Sequence, residues 1–168
     1  MTGEERFHEL MCLLAEVTSE SEDDSTQCGA FLYDPKEDRV SCMANNEVLP
    51  NLGHFDLSKR DQKLAATEHA ERNCIYLAAK KGIQTQGKVL FASWVACEDC
   101  ARAIVCSGIK QVVTFSTTYE NTPKRWRESV DRGLDILNRH IEVYSNVHSV
   151  STESKQYSIL FDRKKLVL

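Results

Sequence analysis

Four residues in two short segments have the types and spacing of a metal centre. His69 and Glu71 stand two positions apart in TEHAERN, and Cys97 and Cys100 bound the later segment CEDC. Two sulfurs three residues apart at the start of a helix can bind the same ion, and the partial positive charge of a helix N-terminus favours thiolates over thiols. The two cysteines therefore provide half of a metal site, and the histidine provides a third ligand.

This set of ligands predicts a catalytic zinc. Three protein ligands leave tetrahedral Zn²⁺ with one open position for water, and zinc lowers the pKa of that water toward ~7. Glu71 is then placed to remove a proton and later return it. Two alternatives stand beside this interpretation: a structural zinc, which would need a fourth protein ligand, and buried thiols beside a surface helix with no metal.

The spacing of His69 and Glu71 restricts how the two can meet. Residues two apart on a helix project about 200° from each other at ~3.6 residues per turn, so they cannot share a side face. They converge only if the end of the helix points into the pocket. That placement leaves the amide of Ala70 without an intrahelical acceptor and free to bind a substrate carbonyl.

The N-terminal segment is predicted to be a helix followed by an acidic loop, together residues 1–24. Residues 4–17 space their apolar side chains at intervals of three and four, which is typical of one buried helix face. The residues that carry this pattern are Phe7, Leu10, Met11, Leu14 and Val17. The acidic, Ser-rich TSESEDDST that follows (18–26) indicates a solvated loop.

The rest of the chain alternates strand and helix patterns. In order, it shows a hairpin in CGAFLYDPKEDRVSCMA, a loop in NNEVLPNLG, a helix over 68–81 capped by Thr67, a strand in KVLFASW, a helix in CEDCARAIVCSG, a strand in KQVVTFS, a helix in PKRWRESVDRGLDILNRH and a strand in IEVYSNV. This order predicts an α/β fold with a sheet covered by helices and mostly parallel in its second half. In the C-terminal extension, residues 149–168, the alternation in QYSILF predicts an edge strand.

Length, charge and cysteine content limit the classes of protein to which this sequence can belong. A chain of 168 residues with 42% hydrophobic residues fits a single domain, 1–168, and it has no apolar run long enough to cross a membrane. We therefore expect a cytoplasmic protein with no membrane partner. The formal charge of -4 argues against a nucleic-acid partner and favours a small substrate. Seven cysteines, an odd number, favour reduced thiols over a disulfide framework.

The cysteines outside CEDC have a different expected role. Each lies in an apolar stretch, where a cysteine is usually a small core residue. These residues are Cys12, Cys28, Cys42, Cys74 and Cys106. An alternative for one of them is part of a second metal site, because His8 stands four residues before Cys12 on the predicted first helix.

The segment from about 25 to 147 resembles the cytidine and deoxycytidylate deaminase superfamily, and is most similar to deoxycytidylate (dCMP) deaminases and their bacterial and phage relatives. The stretches that carry the resemblance are DSTQCGAFLYDP, HAERN, SWVACEDCARAIVCSGIKQVV and RWRES. The resemblance implies a three-layer α/β/α fold whose central mixed sheet has about five strands flanked by helices. It also implies one Zn²⁺ per chain, bound by His69, Cys97 and Cys100, with Glu71 as the acid and base.

The chain departs from the pattern of that superfamily at two points. Ala96 precedes the first zinc-binding cysteine, where the signature has proline. In the loop ANNEVLP, Asn46 is the nearest match to the asparagine that binds the sugar in family members, and Asn45 is the match in the other register. Glu47 replaces a glycine in the region where allosteric members bind dCTP or dTTP, so inherited regulation by nucleotides is not expected.

Further substrate contacts are implied by the resemblance. The backbone near Val95 would hold the leaving amino group, and Trp94 would either line the pocket beside the ring or fill the core beneath it. The cations Lys124, Arg125 and Arg127 form a cluster whose two guanidinium groups suit a 5′-phosphate. The alternative for this cluster is ordinary solvated surface charge.

Together these observations predict a zinc-dependent hydrolase that deaminates a cytosine nucleotide, with dCMP converted to dUMP and ammonia as the leading reaction. The alternatives are deamination of a nucleoside, a modified cytosine nucleotide, a purine base or a base in tRNA. A catalytically silent deaminase fold that serves as a binding subunit is another. By analogy with relatives, the protein is expected to be a homo-oligomer.

Overall fold

The computed structural model describes residues 3–145, 150 and 155–168. Within those residues the chain forms six helices and nine strands. In chain order they are α1 (Gly3–Ser19), β1 (Gly29–Asp34), β2 (Arg39–Asn45), β3 (Glu47–Val48), α2 (Arg60–Ala66), β4 (Thr67–Glu68), α3 (Ala70–Lys80), β5 (Val89–Ala92), α4 (Glu98–Cys106), β6 (Gln111–Thr114), α5 (Ser116–Glu120), α6 (Lys124–Asn138), β7 (Glu142–Ser145), β8 (Ser158–Phe161) and β9 (Lys164–Val167).

The central sheet has five strands in the order β2-β1-β5-β6-β7. β1 pairs antiparallel with both β2 and β5, whereas β5, β6 and β7 pair in parallel. The helices between the parallel strands are α4, which joins β5 to β6, and α5 and α6, which join β6 to β7. The predicted α/β fold, with a mixed sheet that is parallel in its second half, is confirmed.

Alternation along the strands divides the core between the two faces of this sheet. Ala30 and Leu32 of β1 point to one face, and Phe31 between them points to the other. The first face packs against α3, α4 and α6 through small and branched side chains, including Cys74 and Leu137. Because the side chains of α3 that face the sheet are small, this helix lies close to the strands, and its first turn lies near their ends.

The second face is covered by α1 and by the C-terminal hairpin β8–β9. Leu14 of α1 is fully buried, and Ile159 and Phe161 of β8 are 3% and 4% exposed in the same cluster. The expected edge strand in 149–168 therefore differs from the structure: β8 pairs with β9 in a separate two-stranded sheet instead of extending the central one. Residues 149 and 151–154 of that extension lie outside the described residues.

Short elements complete the fold: β3 lies in the predicted loop NNEVLPNLG, and α2 and α5 lie largely in segments to which the sequence pattern assigned no element. β3 pairs with β4, bringing Val48 opposite Thr67, and α2 and α5 are helices of seven and five residues. The hydroxyl of Thr67 donates to the Lys63 carbonyl oxygen (2.7 Å), so Thr67 closes α2 and does not cap α3 as predicted. The β3–β4 pairing brings the loop after β2 next to the start of α3. In the described part of the chain, no helix is long and apolar enough to cross a membrane.

An ion pair joins the end of β1 to the start of β5. Lys88 Nζ lies 2.5 Å from Asp34 Oδ2, and the lysine is 8% exposed. The hydrogen bond from Lys88, followed by that from the Lys36 amide, holds the pKa of Asp34 below its ordinary value. The pair therefore links two neighbouring strands of the central sheet at the edge of the core.

We predict that Asp34→Asn lowers the free energy of unfolding at neutral pH, because the buried lysine loses its anionic partner. The stabilisation by a carboxyl with a depressed pKa is present above its unfolded pKa and is lost as the pH falls through its folded pKa. The difference between wild type and variant should therefore shrink in acid. Urea unfolding of both proteins across a series of pH values measures it.

The matched control is Asp135→Asn, which removes an exposed pair with Arg139 on α6. Exposed pairs of this kind contribute little, so this variant should stay close to wild type at every pH. A difference for Asp34→Asn that did not change with pH would contradict the assigned role of the carboxylate.

Candidate metal centre and active-site cavity

Two of the predicted ligands are the residues at which their helices begin. His69 is the N-cap of α3 and Cys97 is the N-cap of α4; the imidazole of His69 makes no capping bond to its helix, and the sulfur of Cys97 interacts with Cys100 in the first turn of α4. Their carbonyl oxygens accept the first helical bonds, from the amides of Asn73 and Ala101 (both 2.8 Å). Because an N-cap side chain normally binds the free amides of its helix, the absence of that bond leaves the imidazole of His69 available to an ion.

The three predicted ligands converge on one point. His69 Nδ1 lies 3.6 Å from the sulfur of Cys97 and 3.5 Å from that of Cys100. All three ligand atoms lie within 4.8 Å of one another. The zinc–nitrogen and zinc–sulfur bond lengths found in proteins separate N from S by about 3.6 Å on a tetrahedral ion. The side chains present therefore fit zinc.

The charges of the ligands also suit a cation. The hydrogen bond from the Cys100 thiol, together with that from His69, lowers the pKa of Cys97 to about 4. The same hydrogen bond and burial raise the pKa of Cys100. Burial lowers the pKa of His69, but its contact with Cys97 and the charge of Glu71 outweigh that effect and raise it. Zinc needs both sulfurs as thiolates, so its binding releases the Cys100 proton.

Glu71 lies in the first turn of α3 and is 7% exposed. Burial is the main reason that its pKa is raised above the ordinary value for a glutamate. A carboxyl whose pKa is raised holds a proton more readily than an ordinary glutamate, which suits a group that takes up and releases protons. Both His69 and Glu71 line one cavity, so the end of α3 does point into it, as their spacing requires.

The cavity beside the ligands has a volume of about 710 Å³. That is within the range of small-molecule sites in proteins. Its lining includes two aromatic side chains, Trp94 and Trp126. The indole ring of Trp126 lies 6.3 Å from the ring of His69 and 6.4 Å from that of Trp94, in both cases nearly edge-on. Two tryptophans and a metal ligand thus form one continuous wall.

Trp126 was not among the predicted site residues, although it lies in RWRES, one of the segments that carried the resemblance. Trp94 was predicted either to line the pocket or to fill the core, and in the structure it does both. It lines the cavity and packs edge-on against Phe161 at 4.8 Å. Its indole N–H donates to the Thr122 hydroxyl (2.9 Å), which fixes the orientation of the ring.

Asn46 lines the cavity and ties a loop to it. Its Oδ1 accepts from the Cys28 amide (2.8 Å) and the Ser21 hydroxyl (2.7 Å), and its Nδ2 donates to the Thr26 carbonyl oxygen (2.9 Å). These bonds use both acceptor sites of the amide and one of its two donors. Asn46 therefore positions the 21–28 segment and keeps one N–H for another partner.

The other predicted contacts are placed differently. Asn45 is not among the residues that line the cavity; its side chain donates to the Val17 carbonyl oxygen and its own carbonyl accepts from Asn73 (2.9 Å). Ala70 is the first residue of α3 and is 1% exposed. Val95 is buried and lines the cavity next to Trp94.

The two arginines of the predicted phosphate cluster separate. Arg125 lines the cavity and forms an ion pair with Asp162 of the C-terminal hairpin. Arg127 is not in the lining; its guanidinium lies 4.7 Å from the ring centre of Tyr119. Lys124 is also outside the lining.

The cysteines outside the metal centre vary in exposure. Cys42 and Cys74 are buried with their sulfurs 3.6 Å apart, whereas Cys106 is exposed at the end of α4 and is not the core residue predicted. His8 Nε2 lies 3.5 Å from Cys12 Sγ. Among the described residues, no third metal-binding side chain joins this pair.

A His-Cys-Cys zinc site beside a buried glutamate in a cavity of this size is the arrangement of the zinc-dependent nucleobase deaminases. The family model for the cytidine and deoxycytidylate deaminase zinc-binding region matches residues 1–116, and the chain belongs to this family. The family binds zinc, which confirms the predicted cofactor. In this chain His69, Cys97 and Cys100 form the possible metal site.

Relatives with similar sequences include two deoxycytidylate deaminases. The enzyme of Enterobacteria phage T2 is 35% identical over 71 residues, which are 42% of this chain and 37% of the phage protein. The enzyme of Mus musculus is 29% identical over 110 residues, which are 61% of this chain and 60% of the mouse protein. The chain thus matches between about a third and three fifths of the length of these relatives.

A similar fold is found in the dCMP deaminase of cyanophage S-TIM5, whose crystal structure is a complex with dCMP and dUMP. The TM-score is 0.61 at 19% sequence identity, over 87% of this chain and 99% of the phage chain. At this identity the similarity establishes the fold, which is that of the cytidine deaminases.

The approach of α6 to the metal centre depends on Gly133. A Cβ at this position would lie 2.0 Å from the Ala96 carbonyl oxygen and 2.8 Å from the Cys97 carbonyl carbon. Ala96 is the residue where the signature has proline. The backbone of α6 thus lies directly against the segment that carries a zinc ligand.

We predict that Gly133→Ala shifts this segment, with a loss of about 1–3 kcal/mol in the free energy of unfolding, as is typical of overpacking. The zinc content of the purified protein should fall as well, because Cys97 moves. Urea unfolding and metal analysis on the same preparation measure both. Gly53→Ala is the control, because nothing lies within 4 Å of a Cβ there. Full zinc occupancy and unchanged stability in Gly133→Ala would refute the prediction.

Proposed function

We propose that this protein is a zinc-dependent deaminase that hydrolyses dCMP to dUMP and ammonia. The observation that carries the proposal is the convergence of His69, Cys97 and Cys100 beside the buried carboxyl of Glu71, in a cavity large enough for a nucleotide. Support for the substrate comes from the relatives in phage T2 and mouse, which are deoxycytidylate deaminases. When bound, zinc would supply a polarised water for attack on C4 of the cytosine ring.

Glu71 would move the protons of the reaction. Hydrolysis adds the oxygen of water to C4 and releases the exocyclic amine, so two protons must pass from the water to the ring and the leaving group. The Glu71 carboxylate takes one proton from the attacking water and delivers it to N3, and then passes the second to the departing amine. The burial that raises its pKa stabilises the protonated form between these steps.

The walls of the cavity would orient the ring. The amide of Ala70, at the N-terminus of α3 between the lining residues His69 and Glu71, would donate to the O2 carbonyl, and the backbone near Val95 would hold the leaving amine. Trp94 and Trp126 would pack against the base and exclude bulk water. Asn46 would donate its remaining N–H to a sugar hydroxyl while its other bonds hold the loop.

We predict that Glu71→Gln keeps its zinc but loses at least ~100-fold in the rate of ammonia release, because the amide cannot accept a proton. The panel of substrates is dCMP, CMP, deoxycytidine, cytosine and guanine, with metal content measured on the same preparation. Glu142→Gln, which changes an exposed side chain at the start of β7, is the matched control and should retain activity.

Wild-type rates in Glu71→Gln would overturn the proposed role of the carboxylate. A wild-type protein with full zinc that releases ammonia from none of these compounds would overturn the proposed activity and favour a silent binding subunit. A preference for guanine over the cytosine compounds would overturn the substrate.

We further propose that the protein is a homo-oligomer and acts in the cytoplasm, where nucleotides are metabolised. The support is the membership of the deaminase family and the absence of a membrane-spanning helix from the described residues. Light scattering in solution tests the first part, because a mass of 19.1 kDa would show a monomer.

A further inference from the structure

The outer part of the active-site cavity is lined by cations from three separate elements. Arg60 belongs to α2, Arg125 to α6 and Arg163 to the tip of the β8–β9 hairpin, and Lys63 lies one turn after Arg60. The chain as a whole carries a formal charge of -4, so this local concentration of positive charge is not a consequence of its composition.

Two of these four cations are neutralised by carboxylates. Lys63 Nζ lies 3.2 Å from Asp23, and it also pairs with Asp24. Arg125 pairs with Asp162. These pairs hold α2 to the acidic loop after α1, and hold α6 to the C-terminal hairpin. They fix the rim of the cavity but leave little charge for a ligand.

The other two cations are not neutralised in this way. In the part of the chain that the structure describes, no carboxylate oxygen lies within 4.0 Å of the guanidinium of Arg60 or of Arg163. Both side chains are exposed residues on the lining of the cavity. The cavity therefore presents two guanidinium groups whose charge is available to an anion.

Arg60 lies close to the metal centre. Its guanidinium carbon is 5.7 Å from the ring centre of Trp126, and the ring of His69 lies 6.3 Å from the same indole. A single indole thus separates Arg60 from a zinc ligand. A base held beside Trp126 would have its substituents directed toward the cations on the rim.

The tip of the hairpin is held at the cavity by backbone bonds. The Arg163 amide donates to the Ser25 carbonyl oxygen (2.7 Å), and the Asp162 amide donates to the Thr26 hydroxyl (3.2 Å). The Gln27 amide donates to the Leu160 carbonyl oxygen (2.7 Å). Since Ser25 and Thr26 themselves line the cavity, the position of Arg163 relative to it is fixed.

The backbone of the tip is of a kind that glycine normally provides. Asp162 and Arg163 have φ of 52° and 63°, the two positive values of a tight hairpin turn in which Asn-Gly or Asp-Gly is preferred. An arginine adopts this conformation less readily than glycine. Glycine at position 163 would therefore suit the turn at least as well as the arginine does.

We propose that Arg60 and Arg163 bind the 5′-phosphate of the substrate and make the site selective for a nucleoside monophosphate over the nucleoside. This inference rests on the proposed deaminase function. Two guanidinium groups match the charge of about −1.5 to −2 on a phosphate monoester, and their planar donors suit its oxygens. Asp23, Asp24 and Asp162 lie at the same rim and would repel the additional charge of a di- or triphosphate.

The decisive variant is Arg163→Gly, because glycine removes the cation and at the same time suits the turn. A loss of function in this variant therefore cannot come from a disrupted hairpin. The expected result is a fall of about 10- to 100-fold in the ratio of kcat/KM for dCMP to that for deoxycytidine, the range for a lost hydrogen bond to a charged group. The change should lie mainly in KM.

Two further variants complete the set. Arg60→Gln should reduce the same ratio by a similar factor, since it removes the second guanidinium. Lys165→Gln removes a cation from the same hairpin, but the side chain is exposed and does not line the cavity. It should leave the ratio within about twofold of wild type, and thus controls for the general effect of charge on the encounter with a nucleotide.

Binding of the product provides a readout without turnover. Calorimetry on zinc-loaded protein should show that wild type binds dUMP more tightly than deoxyuridine, and that Arg163→Gly and Arg60→Gln lose this difference. Wild type that binds both equally would overturn the inference, and so would variants that retain the wild-type preference for the phosphate.

The two proposals fail in different ways. Absence of ammonia release from every cytosine compound overturns the deaminase function, and the calorimetry then decides whether the arginines bind a phosphate. Deamination of dCMP with an unchanged preference in both arginine variants upholds the function and overturns the assignment of the phosphate site. Faster deamination of dCTP than of dCMP would overturn the selectivity for the monophosphate.

Discussion

The site depends on the meeting of two helix N-termini at one point. α3 begins at His69 and α4 at Cys97, and the third ligand, Cys100, lies in the first turn of α4. The two helices pack on the same face of the central sheet, which brings their first residues to the same side of it. Because two of the three ligands are N-cap residues, the helix ends and the metal site are built from the same residues. Zinc binding and the packing of α3 against α4 are therefore linked.

The same convergence buries the carboxyl of Glu71, and the burial of a charged group costs free energy. Glu71 is buried next to two sulfurs that must both be thiolates when zinc is bound, so three groups that can carry a negative charge meet at one wall of the cavity. The positive ion offsets this repulsion. The fold also brings α6 into direct contact with the segment that ends in Cys97, which only a glycine at position 133 allows. The position of Cys97 thus depends on the packing of α6 at Gly133, and the charges of the two thiolates and Glu71 depend on the bound cation.

The metal ligands could be predicted from their residue types, and the central strands and long helices from the spacing of their apolar residues. The ligand types and the i, i+3 spacing of Cys97 and Cys100 identify a metal site locally, and apolar runs such as VLFA and QVVT identify central strands without tertiary information. Short polar helices such as α2 leave no periodic signal, so Arg60 could not be placed. Nothing local indicated that β8 would cover α1 instead of joining the sheet edge, because its alternation suits either place. Arg163 therefore could not be placed at the cavity.

The aromatic wall has a consequence for how the protein can be observed. The chain contains two tryptophans, Trp94 and Trp126, and both line the cavity. One is held by a hydrogen bond to Thr122 and the other lies against a zinc ligand and the Arg60 guanidinium. All of the indole fluorescence of this protein therefore arises at the walls of a single chamber. Its emission reports on the occupant of that chamber without any added label.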